Sequence, residues 1–465
     1  MYLRILILAA ALLAAACDGD KRPVVIVDDG TGGSGGAGGS GGGGVTWTFR
    51  TLDGAPDGAD NTGYQPELRV APNGRLAAAW FRSTGRTGVC QLPQRDPAPT
   101  DTWEIVYGVE QGDSFAQEVV AEIELVGRPT GVSLAFDAAG TPMVAFMGMG
   151  ATGEFRCGAT NTVLARRSAS GWTQQVIDTD GNVPEMIFPE DVPHCANYQN
   201  ACNLGELVGM WPALGVADGQ PVLAYRDGHY AFGVDAEEKS DLQLWWQGRK
   251  VTAEAVSGGG SNTRLVVDDA QGIHIAHYND QHRIGATDEY TDGIWLIHYE
   301  NGGWMRERVV PVRPIAERIG LAAVDDRLGL AWHEPKEGRV RYVERKAGAW
   351  AQAEVVDAKG RTGLSPSLAF DPDGRPAIAY QRCSAAGQQG ADCQASEDSL
   401  RFAIKDGKSW ITSTIRSDPG KQEGLYTSLV FDSEGRPAVA FQEQVFDAID
   451  QVVRRRLVLA RGETL

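Results

Sequence analysis

The stretch LSPSLAFDPDGRPAIAY, which runs from Leu364 to Tyr380, decides the fold of this chain. It contains two short apolar segments, SLAF and AIAY, on either side of a polar turn. Gly374 supplies the positive φ that a tight hairpin needs, and the side chains of Asp371 and Asp373 can bond the backbone of the same turn. The stretch therefore predicts a β-hairpin.

The hairpin pattern recurs along the chain. Further copies are GVSLAFDAAGTPMVAF (131–146), PALGVADGQPVLAY (212–225) and TSLVFDSEGRPAVAF (427–441). With the turn glycine as marker, copies fall at Gly74, Gly140, Gly219, Gly272, Gly374 and Gly435, and a shortened turn stands at 325–327. The mean spacing of about 60 residues is longer than the about 40–50 of compact propeller repeats. Seven copies at this spacing predict a repeat fold.

Each copy continues with a third strand, a turn that contains glycine and an aromatic residue, and a fourth strand. Clear examples are LARRSASGWTQQVID (164–178), IHYENGGWMRERVV (297–310), YVERKAGAWAQAEVVD (342–357) and FAIKDGKSWITSTI (402–415). Four short strands with alternating apolar and polar residues, repeated seven times, predict an all-β fold, a seven-bladed β-propeller with four-stranded blades.

The two ends of the repeat region predict how the ring closes. The seventh copy ends at LVLARGETL and has no fourth strand, whereas VTWTFRTLD (45–53) has the form of one. We therefore expect the N-terminal strand to complete the last blade by pairing antiparallel with the strand at 456–461. Such closure leaves no sheet edge open.

Residues 1–17 have the features of an export signal. Arg4 is the only charge ahead of the apolar run 5–13, which is too short to span a bilayer as a helix. The run leads into Ala14-Ala-Ala-Cys17, which resembles a bacterial lipobox, although Ala14 stands where that family usually has leucine. The resemblance implies lipidation of Cys17. Ala14 and Ala16 also fit ordinary A-x-A signal cleavage, so a freely secreted protein is the alternative.

Residues 18–44 are predicted to be a disordered linker rich in glycine and serine. Its low-complexity part is GTGGSGGAGGSGGGG (30–44), in which glycine offers no side-chain burial to offset chain entropy. A tether behind an acylated cysteine predicts that the domain at 45–465 is lipid-anchored to the bacterial cell envelope, at the outer membrane or its periplasmic face. The sequence leaves open which membrane carries the anchor.

The repeat region, residues 45–465, resembles the seven-bladed propellers of exported bacterial lipoproteins and, more distantly, sialidase-type and related repeat propellers. The Asp-box of sialidases, S-x-D-x-G-x-x-W, lies between the third and fourth strands of a blade. The nearest match in this chain, formed by Asp406, Gly407 and Trp410, has one residue too few. Sialidase activity is therefore not carried over.

The net charge and the number of cysteines indicate which partners and which cellular compartment to expect. The net charge of −18 argues against nucleic acid as a partner, because its phosphates require a basic surface. Besides Cys17 the chain has six cysteines, and an even number in an exported protein predicts disulfides. Two pairs share a loop, which leaves one further pair. The predicted disulfides are Cys195–Cys202, Cys383–Cys393 and Cys90–Cys157.

Most inserted length falls on one face of the predicted propeller, where the loops from second to third strands meet. Long loops on a rigid scaffold are where binding residues concentrate. The predicted ligand-binding residues at this mouth of the central channel are Arg82, Arg226, Asp227, Asp280, His333, Glu334, Arg382 and Glu443. Arginine would supply charge-assisted hydrogen bonds and carboxylates would accept hydroxyls. The alternative is a solvated rim in which arginines and acids pair across blades.

Trp211 is a further candidate at the mouth. It follows the longest insertion and could serve as a stacking platform, with burial between blades as the alternative.

Three histidines and one acidic loop are candidate metal sites. His274, His277 and His282 lie close together in sequence with Asp280, but strand alternation puts His274 and His277 on opposite faces. The acidic loop DAEEKSD (235–241) lacks the regular spacing of a calcium loop, so a structural calcium is only an alternative. We expect no metal site and no cofactor.

Two functions remain. The favoured one is a non-enzymatic monomeric propeller that binds an extracellular glycan, peptide or protein and meets the membrane only through its lipid anchor. The alternative is a hydrolase or lyase acting on extracellular polysaccharide, with Asp227, Asp280, Glu334 and Glu443 as its candidate acid–base residues. No nucleophile motif or cofactor fingerprint in the sequence decides for an enzyme.

Overall fold

The computed structural model describes thirteen segments of the chain. They are residues 45–54, 61–90, 98–112, 114–149, 159–179, 185–188, 207–228, 240–254, 259–279, 293–311, 318–383, 398–446 and 452–463. Their regular structure is entirely β-strand, as predicted, without any helix. Across these segments, no helix has the length and hydrophobicity to cross a membrane. The predicted signal peptide with Cys17, the linker 18–44 and the loop 235–239 lie outside the described residues.

The strands alternate with turns and loops along the whole domain. The first fifteen are β1 (Trp47–Asp53), β2 (Thr62–Val70), β3 (Leu76–Cys90), β4 (Ala98–Gln111), β5 (Ser114–Leu125), β6 (Val132–Phe136), β7 (Pro142–Met149), β8 (Thr160–Ser168), β9 (Gly171–Asp178), β10 (Leu207–Ala217), β11 (Gln220–Gly228), β12 (Ser240–Trp246), β13 (Arg249–Glu254), β14 (Ser261–Val267) and β15 (Ile273–Asn279). The others are β16 (Gly293–Glu300), β17 (Gly303–Val310), β18 (Gly320–Val324), β19 (Arg327–Glu334), β20 (Arg339–Lys346), β21 (Ala349–Trp350), β22 (Glu354–Asp357), β23 (Arg361–Phe370), β24 (Pro376–Cys383), β25 (Ser399–Asp406), β26 (Ser409–Arg416), β27 (Lys421–Phe431), β28 (Pro437–Phe446) and β29 (Val452–Gly462).

The described strands form six hydrogen-bonded sheets rather than seven separate ones. Five sheets have four strand positions each: β2–β5, β14–β17, β18–β22, β23–β26, and β27–β29 with β1. In the β18–β22 sheet, β21 and β22 both pair with β20. The sixth sheet has eight strands, because a single parallel pair, Leu207 with Thr160, joins β10 to β8. Four-stranded units in a propeller arrangement are confirmed, whereas the described strands do not form seven separate sheets.

The predicted role of the N-terminal strand is confirmed. β1 pairs antiparallel with β29, from Trp47 opposite Gly462 to Asp53 opposite Leu457. The indole of Trp47 meets the ring of Phe402 edge-on at 5.4 Å, so the closing strand is also packed against the neighbouring sheet. The first strand of the domain therefore completes a sheet begun by the last three.

The first strands of the four-stranded units line a common centre. β2, β6, β10, β14, β18, β23 and β27 contact one another in this order, and β27 contacts β2. The second strands lie behind them and are buried on both faces; β3 is fully buried from Leu76 to Phe81. Alternation of apolar and polar residues is lost in these strands because each is sandwiched between two neighbouring sheets.

The hairpin turns follow the sequence prediction closely. In the turn after β23, Asp371 Oδ1 accepts hydrogen bonds from the backbone N–H groups of Asp373 (3.1 Å) and Arg375 (2.7 Å). Gly374 has φ 72°, in the left-handed region that glycine tolerates. Asp371 Oδ2 accepts a further bond from the Arg375 guanidinium at 2.7 Å. The repeated Asp-x-x-Gly motif is therefore a self-bonded turn.

Adjacent units are also joined by a recurrent hydrogen bond that the sequence analysis did not find. An indole N–H or a phenol O–H on a second strand donates to a carboxylate at the end of the preceding unit's fourth strand. The pairs are Trp80 with Asp53 (2.6 Å), Tyr225 with Asp178 (2.8 Å) and Tyr380 with Asp357 (2.7 Å). At the equivalent place in another unit, His277 Nε2 lies 2.8 Å from Glu254 Oε2. His277 thus belongs to a repeated structural contact.

Candidate ligand site at the mouth of the central channel

Five of the first strands share an irregularity where they approach the loop-rich face. Their pairing slips by one residue there, so that a dipeptide of the first strand lies opposite a single residue of the second strand. The first residue of each dipeptide has a positive φ: Gln65 (50°), Trp211 (45°), Asn262 (53°), Ser365 (48°) and Tyr426 (54°). We call these five residues the mouth ring. Proline follows three of them, which fits because a bulged residue needs no ladder N–H.

A glycine two residues earlier makes each bulge possible. Gly363 has φ 88°, and a Cβ there would lie 2.8 Å from the Cα of Val340 in the preceding unit. Gly63 has φ 77° and comes equally close to Leu457, at 3.0 Å from its Cα. The backbone of each bulge is thus pressed against the neighbouring sheet, which holds the mouth-ring residue in a fixed position.

Two cavities lie along the centre of the propeller. The first is small, about 10 Å³, and is lined by the mouth-ring residues Gln65, Trp211 and Asn262. The second, of about 50 Å³, is lined by residues of β2, β14, β18, β23 and β27. Arg264 and Arg318 line both cavities and so form the boundary between them.

Arg318 holds the inner edges of several strands together. Its guanidinium donates to the backbone carbonyls of Thr427 (2.6 Å), Tyr426 (3.0 Å) and Pro66 (3.1 Å). Burial, reinforced by the charge of Arg264, lowers the pKa of Arg318 to about 9. First strands have a neighbour on one side only, so their inward carbonyls need donors. Arg318 supplies these donors, and its side chain lies at the inner end of the mouth cavity.

Several contacts fix the position of the Trp211 side chain at the mouth. Its backbone N–H donates to Thr130 Oγ1 at 3.1 Å, and its half-buried indole borders the cavity. The guanidinium of Arg226 lies over the indole at 5.4 Å. Arg226 is itself buried and donates to Ser261 Oγ. The cation–π contact with Arg226 therefore sets the orientation of the indole.

The mouth ring combines three chemistries that suit a polyhydroxylated ligand. Gln65 and Asn262 carry amides that both donate and accept, and Ser365 carries a hydroxyl. Trp211 and Tyr426 carry aromatic faces against which the C–H surface of a sugar ring can pack. Concave sites with an apolar face and a few fixed polar groups are the usual form of small-ligand sites.

The structure places the predicted mouth residues mostly within internal contacts. Arg82 is half-buried and pairs with Glu104 (2.8 Å) and Asp53 (3.4 Å). Asp227 is fully buried and lies opposite Asp241 in the β11–β12 pairing. His333 is fully buried; its Nδ1 lies 2.7 Å from the carbonyl of Thr362, and burial lowers its pKa to about 4.

Two others lie farther along the same face. Glu334 is partly buried, 3.8 Å from the Arg341 guanidinium. Arg382 is partly buried against Gly360. Asp280 lies outside the described residues.

Of the cysteines, Cys90 and Cys383 are described and buried, while Cys157, Cys195, Cys202 and Cys393 lie outside the described residues, so the disulfide pairs stay predictions.

Glu443 belongs to a group of charges that we call the ionic cluster: Asp418, Glu423 and Glu443 with Arg416, Lys421 and Arg456. Arg416 contacts all three carboxylates, at 2.7 Å from Asp418, 3.0 Å from Glu423 and 3.3 Å from Glu443. Glu423 and Glu443 have no solvent exposure. Burial raises the pKa of Glu423 to about 8, although Arg416 acts to lower it.

The mouth ring, apart from Trp211, was missed by sequence reasoning. Its signal is the spacing between a glycine and a polar or aromatic residue two positions later, at the start of the first strands: GYQP, GMWP, GSNT, GLSP and GLYT. The motif lies just before the hairpin repeat. It is hard to recognise because the insertions that precede it differ from one copy to the next.

Comparisons with known proteins find similarity only at a low level. No protein-family model matches the sequence, and no curated protein matches it. A sialidase from Streptococcus pneumoniae is 10% identical with a TM-score of 0.45, over 90% of this chain and 70% of the other. A Dyadobacter fermentans protein of unknown function is 11% identical with a TM-score of 0.43, over 90% and 99%. A lectin from Aleuria aurantia, solved with Fucα1-6GlcNAc, is 10% identical with a TM-score of 0.43, over 77% and 99%. At these identities and scores no substrate carries over to this chain.

Proposed function

We propose that this protein is a binding propeller that holds the end of a glycan, or a similar polyhydroxylated ligand, in the mouth ring. The observation that carries the proposal is Trp211, a bulky residue with φ 45° that borders the mouth cavity beside Gln65 and Asn262. Trp211 is the stacking platform, and the amides bond the ligand hydroxyls.

The backbone of Trp211 supports a functional role. A non-glycine residue in the left-handed region costs about 1–2 kcal/mol, and tryptophan has no local hydrogen bond that would favour it there. Such strain concentrates at ligand sites, where the surrounding structure imposes it. In Trp211 the strained backbone turns the largest aromatic side chain of the mouth ring towards the cavity instead of the sheet.

Binding is favoured over polysaccharide cleavage for a reason of access. Of the four carboxylates considered as catalytic acids or bases, Asp227 and Glu443 have no solvent exposure, and a substrate cannot touch them without rearrangement. The mouth ring, in contrast, includes exposed surface on Gln65, Trp211 and Tyr426.

A glycan-array screen of the purified protein, followed by calorimetric titration of the best ligand, tests the proposal. Trp211→Ala should weaken binding at least about tenfold, because it removes the aromatic face. Gln65→Ala should weaken it by about 0.5–1.5 kcal/mol, one hydrogen bond. The matched control is Gln271→Ala, a glutamine with φ 66° in the hairpin turn before β15, which should bind as the wild type does. Unchanged affinity in Trp211→Ala would overturn the proposal.

We also propose that the ring has seven blades, with the eight-stranded sheet counted as two. The closed order of contacts among β2, β6, β10, β14, β18, β23 and β27 supports this count. Export, lipidation at Cys17, the three disulfides and a monomeric state are part of the same proposal. Intact-mass analysis of the membrane fraction, non-reducing peptide mapping and light scattering test them in turn. A mature N-terminus without lipid would favour the secreted alternative.

A further inference from the structure

We propose that His274, His298 and Glu300 bind a divalent transition metal, with zinc as the best fit. The two histidines face each other across the β15–β16 pairing, and Glu300 ends β16. Asp268, Glu307 and Arg345 surround them. We call these six residues the histidine–carboxylate cluster. It lies beside the hairpin turn 268–272, on the face opposite to the loop-rich mouth.

The three donor atoms are spaced as metal ligands are. Glu300 Oε1 lies 3.7 Å from His274 Nδ1 and 3.2 Å from His298 Nδ1, and all three atoms lie within 4.8 Å of one another. Zinc binds nitrogen and oxygen at about 2.0–2.2 Å in tetrahedral geometry. Ligand atoms at that radius are about 3.3–3.6 Å apart. One ion can therefore reach all three donors with small adjustments.

Both histidines offer an unused ring nitrogen. Each side chain is 3% exposed, and neither Nδ1 has a hydrogen bond of normal geometry among the described residues. A buried polar atom without a partner costs free energy. Both of these atoms are aimed at the same carboxylate oxygen, and a metal at that point would satisfy both.

The outer ring nitrogen of His274 is held by a carboxylate, and that of His298 has a carboxylate nearby. His274 Nε2 lies 2.9 Å from Asp268 Oδ2, and His298 Nε2 lies 3.7 Å from Glu307 Oε1. Donation from Nε2–H to Asp268 leaves the lone pair of His274 on Nδ1, on the side of Glu300. Carboxylates that orient ligating histidines in this way are a regular part of metal sites.

The charges of the cluster also call for a divalent cation. Asp268, Glu300 and Glu307 contribute three negative charges, and Arg345, at 2.6 Å from Glu300 and 3.5 Å from Glu307, contributes one positive charge. With neutral imidazoles the sum is −2. One divalent ion brings the partly buried group to zero, which removes the cost of uncompensated charge.

The equivalent turns elsewhere show what is special about this one. In the turns after β23 and β27 the aspartate bonds an arginine four residues on, Arg375 to Asp371 and Arg436 to Asp432. In the turn after β14 that position is Gly272, and the freed oxygen of Asp268 contacts His274 instead. The imidazole of His274 therefore takes the place that an arginine has in the other two turns, and an imidazole can also bind a metal.

The site joins two neighbouring units. The ligands lie on β15 and β16, while Arg345, which fixes the Glu300 carboxylate, lies on β20. Imidazole and carboxylate together favour zinc among the common divalent ions, since calcium and magnesium prefer oxygen alone. A water molecule would complete the coordination.

Metal analysis of the full-length protein tests the proposal. Protein stripped with a chelator should rebind one zinc per chain through this site, and the cobalt-substituted form should give the intense visible absorption of four-coordinate Co²⁺. His298→Gln should lower zinc affinity more than about 100-fold, and Asp268→Asn, which removes only the orienting carboxylate, about 10–100-fold. His277→Gln, on the same strand but bonded to Glu254, is the control and should keep the metal.

The outcomes separate the proposal from its rivals. Zinc bound equally by the wild type and His298→Gln would place the metal elsewhere and overturn it. Wild-type protein that binds no zinc would also overturn it. If His298→Gln does not fold, the cobalt spectrum of the wild type and the affinity of Asp268→Asn decide the question.

Discussion

The ionic cluster and the histidine–carboxylate cluster make an instructive pair. Each brings together three side chains whose donor atoms lie within 4.8 Å of one another. In the ionic cluster three carboxylates meet three cations, Arg416, Lys421 and Arg456, so the formal charge is zero. In the histidine–carboxylate cluster the charge is −2. Proximity of ligand atoms is therefore a poor guide to a metal site, and the charge that remains after internal pairing is a better one.

The largest effect should come from breaking the balance of the ionic cluster. Arg416→Met would leave the buried Glu423 and Glu443 with one cationic neighbour fewer, and loss of a buried partner typically costs about 3–5 kcal/mol. Urea unfolding measures the change. Arg249→Met is the control, because Arg249 pairs with Glu185 on an exposed surface, where a pair is worth about 0–1 kcal/mol. Equal losses in both variants would show that the buried pairing carries no special weight.

Metal removal should affect the other cluster alone. At free zinc about 1,000 times its dissociation constant, a metal that binds only the folded state adds about 4 kcal/mol to the free energy of unfolding. Zinc should therefore raise the melting temperature of stripped wild-type protein and of Glu423→Gln. It should leave His298→Gln unchanged. A zinc response that persists in His298→Gln contradicts the contrast drawn between the clusters.

The pH dependence of stability should reveal Glu423. Its pKa is raised to about 8 in the folded protein, above the ordinary value of about 4.3 for an unfolded chain. Its contribution is fully present below about pH 4 and is lost as the pH rises through 8, by at most about 1.4 kcal/mol per pH unit. Melting temperatures measured from pH 4.5 to 8 should decline less steeply in Glu423→Gln than in the wild type. If the melting temperatures of the two proteins depend on pH in the same way, a residue of the ionic cluster other than Glu423 binds the proton.

The smallest effect should come from restoring the repeat to the turn after β14. Gly272→Arg puts an arginine at the position of Arg375 and Arg436, where it can compete with His274 for Asp268. Zinc affinity should fall about 10-fold, in the range seen when an orienting partner is lost. The equilibrium titration used for Asp268→Asn measures it. Gly272→Ala is the control, because it places a Cβ 2.6 Å from Asp268 Oδ2 without adding a cation.

Local regularities made much of the fold predictable. The hairpin turns depend on residues within five positions of one another, and the closing strand matched the form of other fourth strands, so both were read from the chain. The number of separate sheets was not, because it depends on one pairing between Leu207 and Thr160 that follows a long insertion. Continuous burial of the second strands likewise reflects neighbours that are distant in sequence.

The sites were less predictable for the same reason. His274 was considered with His277 and His282, which are close in sequence, whereas its partner in the structure is His298, across a strand pairing. The charges near the mouth were read as free to bind a ligand, yet Glu443 is paired with Arg456 on the adjacent strand and with Arg416 of another sheet. Pairing partners of this kind are set by tertiary packing, which residue type and spacing do not reveal.

The pairing of β1 with β29 has a consequence for the timing of folding. β1 is the first strand of the propeller to leave the ribosome, and its partner is the last. Until β29 emerges, the backbone groups of β1 have no ladder to join, and the Asp53 carboxylate that receives the Trp80 indole is not yet anchored. Such extreme separation in sequence slows folding. Closure of the ring is therefore a late step that must wait for β29, whereas the sheets built from consecutive strands need no such wait.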